Sequence, residues 1–84
     1  MKSSKLSRKV LEQRIKELKI MFKDGNVEVV ENDNKALLTV RTKEMILEAH
    51  KEYRYFHGAI LACNNYSIKA EGNELIIVFG FEIF

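Results

Sequence analysis

The run that most constrains this chain is Leu75-Ile76-Ile77-Val78-Phe79-Gly80-Phe81-Glu82-Ile83-Phe84, ten residues with a single charge. β-Branched and aromatic side chains of this kind suit a pleated strand. At a period of two, Leu75, Ile77, Phe79, Phe81 and Ile83 share one face, and Ile76, Val78, Gly80, Glu82 and Phe84 share the other. Both faces are largely apolar, which a strand covered on one side does not need. This strand is therefore expected either to be central, with cover on both faces, or to meet another molecule.

Its partner in a hairpin is Tyr66 to Ala70, across Glu71-Gly72-Asn73-Glu74. A second hairpin is expected from Asn26–Glu31 and Lys35–Arg41, where the Asn32-Asp33-Asn34 cluster tolerates positive φ and makes a tight reversal. The two hairpins echo each other: Asn34 to Val40 and Asn73 to Phe79 lie 39 positions apart. A period of this size invites an internal-repeat reading, although two similar hairpins reached independently explain it equally well.

Helices precede each hairpin. Leu11, Ile15, Leu18 and Phe22 recur at helical spacing, flanked by Val10 and Met21, with Ser7 or Ser4 as cap and Gly25 suited to a left-handed stop. Lys5, Lys9, Lys16 and Lys23 fall within about 40° of one another on the opposite side. The second helix is expected from Thr42, its cap, to about Cys63, with Met45, Ala49, Tyr53, Phe56, Ile60 and Cys63 on one face. Gly58 within it suggests a close crossing, since glycine costs about 1 kcal/mol in a helix. The order is α-β-β-α-β-β, and the simplest α+β solution is a four-stranded antiparallel sheet with two helices packed on one face.

The 84 residues suffice for one domain, read as 1–84 with residues 1–6 a frayed basic terminus. A single cysteine, no apolar signal core and no long apolar run point to a reducing, cytoplasmic setting without a membrane. Charge is uneven: residues 1–23 carry +6 and residues 24–84 carry −4. The basic part can meet phosphates or the acidic body of a second copy.

Enzyme signatures are absent, and no cofactor or metal is expected. His50 and His57 stand seven apart, two helical turns, whereas a helical metal pair uses a spacing of four. Cys63 reads as a buried thiol, and Ser67, Thr39 and Thr42 have no histidine beside them. No glycine-rich phosphate loop occurs. The element order resembles part of the core of LAGLIDADG homing endonucleases, in which an acidic residue before a glycine at a helix end binds the catalytic metal. Phe22-Lys23-Asp24-Gly25 sets Asp24 at the matching position. Lys19, Ile20 and Met21 stand where that family carries small residues at its helix crossing, and the chain is short for it. Asp24 is accordingly read as a turn residue.

Two surfaces remain. Tyr55, Ile76, Val78, Phe79, Phe81 and Phe84 offer more large apolar surface than a thin core hides, and are expected to form a dimer or partner interface. Lys5, Arg8, Lys9, Lys16, Lys19 and Lys23 are the candidates for nucleic-acid contact, although Glu12 and Glu17 interrupt them and no aromatic residue is interleaved for stacking. The expected function is a non-catalytic, self-associating binding module that regulates or inhibits a macromolecular partner, as a bacterial or phage accessory protein would. A nucleic-acid-binding protein is the alternative.

Overall fold

A computed structural model describes residues 5–43 and 53–84. The elements are β1 (Lys5–Leu6), α1 (Arg8–Met21), β2 (Asn26–Asn32), β3 (Lys35–Thr42), α2 (Tyr53–Ala62), β4 (Asn65–Glu71) and β5 (Glu74–Ile83). The fold is α+β as expected, but the sheet is mixed and has five strands. The added strand is β1, which runs parallel to β5 with Lys5 opposite Glu82 and Leu6 opposite Ile83. Lys5 and Leu6, read from sequence as part of a frayed terminus, thus pair with the sheet. Two residues carry no periodicity, so only the tertiary pairing reveals this strand.

β5 is the central strand. β3 pairs antiparallel along one edge, from Thr42–Leu75 to Lys35–Glu82, and β4 along the other, from Glu71–Glu74 to Asn65–Gly80. β1 continues β4's edge at Glu82 and Ile83, where the amide of Phe84 donates to Leu6 O at 3.1 Å. β2 pairs antiparallel with β3.

Both helices lie on one face of this sheet. Leu11, Leu18, Met21 and Phe22 from the first segment, and Phe56 and Ala59 from α2, meet Ala36, Leu38 and Val40 of β3 and Ile77, Phe79, Phe81 and Ile83 of β5 in one buried cluster. Phe56 centres its aromatic part, edge-on to Phe22 at 6.5 Å and to Phe79 at 5.7 Å between ring centroids. The parity expected for residues 75–84 therefore holds, with the odd residues facing the helices.

Ser7 caps α1, its Oγ accepting from the amide of Val10 at 3.2 Å. The helix stops at Met21 without a left-handed glycine: Gly25 keeps a negative φ, and its role is steric, since a Cβ there would overlap the carbonyl oxygen of Arg41. Thr42 is the last residue of β3, buried on the core face, and the helix start it is expected to cap, with Met45, Ala49 and His50, lies outside the described residues. A Cβ at Gly58 would meet nothing within 4 Å among the described residues, so this glycine serves no close crossing with them.

The hairpins repeat in register. β2 and β4 begin and end 39 positions apart, and so do the starts of β3 and β5. Asp33 and Gly72, also 39 apart, are the first loop residues and take φ of 56° and 64°. Thr39 and Val78, equivalent by the same shift, are register partners. An approximate twofold axis therefore passes between β3 and β5 at that pair.

Candidate interaction surface

None of the described elements covers the second face of the sheet. Four register lines cross it. Val30, Leu37, Gly80 and Asn65 form one, Glu28, Thr39, Val78 and Ser67 the next, and Asn26, Arg41, Ile76 and Lys69 the third. Asn32, Lys35, Glu82 and Lys5 close the far end. Val30 and Leu37 are 62% and 47% exposed, side by side, in the position of a core pair with no described element over them. Ile76 is buried on this same face, flanked by Arg41 and Lys69, whose long aliphatic stems can lie along apolar surface. Their charged ends turn to Glu74 at 3.8 Å and Glu71 at 3.6 Å. Lys5, Lys35, Arg41 and Lys69 balance Glu28, Glu71, Glu74 and Glu82, so the face is electrically neutral.

Two depressions open at positions related by the twofold. One, of about 480 Å³, is polar, with Asp24, Gly25, Asn26, Arg41, Lys43 and Glu74 around it. The other, a slot of about 370 Å³, has Val30, Leu37 and Gly80 as its apolar lining on this face, and Asn65, Lys35 and Glu82 beside them. Gly25, Asn26, Arg41, Thr42 and Lys43 of the first correspond to Asn64, Asn65, Gly80, Phe81 and Glu82 of the second. Where one half lines its depression with the Arg41 side chain, the other has Gly80. A Cβ at Gly80 would overlap Oδ1 of Asn65, so that amide lies against the glycine. Asn64 pins the slot's edge: its amide donates to Gly80 O at 2.8 Å, and its Oδ1 accepts from the amide of Glu82 at 2.8 Å.

The residues singled out from sequence divide accordingly. Phe79 and Phe81 are fully buried beneath the helices, so they build the core instead of a contact surface. Tyr55 is half-buried and packs against the core, with the Arg54 guanidinium 5.3 Å from its ring centroid. Ile76 and Val78 lie on the uncovered face, the first buried and the second half-buried, and Phe84 is 81% exposed. Val30 and Leu37 escaped the sequence reading. The alternation in β3 contained the signal, since Ala36, Leu38 and Val40 already supply one face and leave Leu37 for the other.

The lysine stripe is broken up. Lys5 belongs to β1 and Lys23 follows the end of α1, leaving Lys9, Lys16 and Lys19 exposed on the helix itself. Arg8 turns to Glu31 of β2, whose carboxylate holds the guanidinium even more firmly protonated. This pair is solvent-exposed and contributes little to stability.

Chemical candidates stay apart. His57 is exposed on α2, and His50 lies outside the described residues. Burial pushes the Cys63 thiol above its usual pKa, and Sγ donates to Ile60 O at 3.2 Å, the opposite of an activated nucleophile. Asp24 is exposed in the turn after α1, and among the described residues no three His, Cys, Asp or Glu side chains cluster as a metal site. Compared with protein-family models, curated proteins and solved structures, the chain matches none. No helix among the described residues is long and apolar enough to cross a membrane.

Proposed function

We propose that this chain is a non-catalytic binding module that self-associates through the uncovered face of its sheet and, as a dimer, regulates or inhibits a macromolecular partner, a protein in preference to nucleic acid. One observation carries the reading: the uncovered face is neutral in charge and hollowed, with Val30 and Leu37 exposed side by side where no described helix packs. Apolar centres with a charged rim are the usual composition of protein–protein contacts. Neutrality also disfavours a polyanion on this face, because phosphate binding draws on excess positive charge.

Size-exclusion chromatography with light scattering tests this reading, with absorbance recorded at two wavelengths on material never treated with nuclease. The expected result is a protein-only peak at twice the 9.8 kDa chain mass. A monomeric peak overturns self-association.

The second reading is a nucleic-acid contact along α1, favoured by the exposure of Lys9, Lys16 and Lys19. It requires co-purifying nucleic acid that is shed at high salt, and loss of binding in a Lys9→Glu, Lys16→Glu double variant.

A further inference from the structure

We infer that the slot over Gly80 is the receptor for Phe84 of a second copy of this chain, the two copies exchanging this contact reciprocally; this rests on the self-association reading above. The slot is apolar where its twofold-related depression is polar, Gly80 standing at the position that carries Arg41 there. Its apolar walls are Val30 and Leu37, and at about 370 Å³ it lies at the lower end of ligand-cavity sizes, which suits one large apolar group. Phe84 supplies such a group. It is 81% exposed, the most exposed large apolar side chain among the described residues, and its place in the alternation sets it on the same face as Gly80.

Phe84 does not reach the slot of its own chain. It lies four positions beyond Gly80 on an extended strand, about 13 Å away at ~3.3 Å per residue. Its backbone is held there on both sides, Ile83 N donating to Asn34 O at 2.7 Å and Phe84 N to Leu6 O at 3.1 Å. A second copy faces no such restriction. Each copy has one aromatic anchor and one slot on a neutral face, so two copies related by a twofold axis satisfy both pairs and close the assembly. A buried aromatic anchor in a pocket is the feature that most often dominates contact energy.

Light scattering on two variants and their mixture tests the exchange. Phe84→Asp removes the anchor, and Leu37→Arg blocks the slot; both positions are exposed, and circular dichroism verifies that each variant folds. Each variant alone is expected to be monomeric, with dimer affinity reduced more than tenfold. Mixed in equal amounts they should form a heterodimer. Phe84 of the Leu37→Arg chain still meets an intact slot, and the carboxylate introduced by Phe84→Asp in the other chain faces the introduced guanidinium. A dimeric wild type that stays dimeric as Phe84→Asp overturns this inference and leaves self-association standing. So does a mixture that remains monomeric when both variants are monomers. A monomeric wild type overturns both.

Discussion

The two hairpin halves of this domain share one backbone plan and differ in what they do with it. In the first half Val27 and Val29 of β2 are half-buried on the helix side, whereas their equivalents in β4, Tyr66 and Ile68, remain 49% and 43% exposed. On the opposite face the first half lines its depression with Arg41 and charged neighbours, while the second lines its own with Gly80 and apolar residues. β5 also outruns its equivalent: β3 ends at Thr42, and the overhang of β5 at Glu82 and Ile83 is where β1 pairs. On the helix side the first half is thus the more closed, and the second leaves Tyr66 and Ile68 exposed there; on the opposite face the first half contributes the exposed pair Val30 and Leu37, and the second Phe84. Backbone register is set by hairpin chemistry and survives this divergence, because it depends on turn residues and on which parity is apolar. Surface chemistry has no such constraint and is free to differ between the halves.

The halves part most visibly in the core. Val40 and Phe79 are equivalent by the 39-residue shift and both fully buried. Phe79→Ala should cost about 3–5 kcal/mol, since it removes a ring packed against Phe56, Phe81 and Tyr66. Val40→Ala should cost about 2 kcal/mol. Urea unfolding followed by far-ultraviolet circular dichroism measures both; equal losses would mean that the halves share the core evenly.

A smaller difference is expected at the glycines. Gly25→Ala drives a Cβ into the backbone carbonyl of Arg41, which cannot move without disturbing β3, and should cost about 1–3 kcal/mol. Gly80→Ala meets only the side chain of Asn65, which can rotate, and should cost less than about 1 kcal/mol. The same unfolding curves rank them, and a larger loss at Gly80 would contradict an Asn65 side chain free to give way beside the slot.

The hairpin loops give the smallest effect and the sharpest symmetry test. Asp33→Gly relieves a left-handed backbone conformation and should raise stability by about 0.5–1 kcal/mol, whereas Gly72→Asp should lower it by a similar amount. Shifts of the same sign for the two exchanges would show that the loops are not equivalent.

Much of this is legible residue by residue. The alternation in 75–84, the stripe of Leu11, Leu18 and Phe22, the Ser7 cap, and the Asn32-Asp33-Asn34 and Glu71-Gly72-Asn73-Glu74 reversals are local signals, and each marks its element in the structure. Local periodicity fixes these features because the geometry of one helix turn or one hairpin involves only residues close in the chain. The spacing of 39 was visible too, although only shared register distinguishes a structural repeat from two similar hairpins.

The candidate surface was less legible. That both faces of β5 are apolar follows from its sequence, but Phe79 and Phe81 prove to be core only because the helices pack on the odd side. The same alternation would hold with the helices on the other face. Lys5 and Lys23 match the helical stripe by angle, yet the chain has left the helix at both places. Gly25 and Gly80 look alike in sequence and meet different atoms, a strand carbonyl and an amide side chain, brought to them from 16 and 15 positions away. Local sequence settled the hairpins, the first helix and the turns, because those depend on neighbours, whereas the twofold plan rests on the pairing of Thr39 with Val78 across the chain. The tertiary structure alone decided the parallel strand β1, the buried aromatics and the slot over Gly80, because each depends on which distant residues meet when the sheet closes.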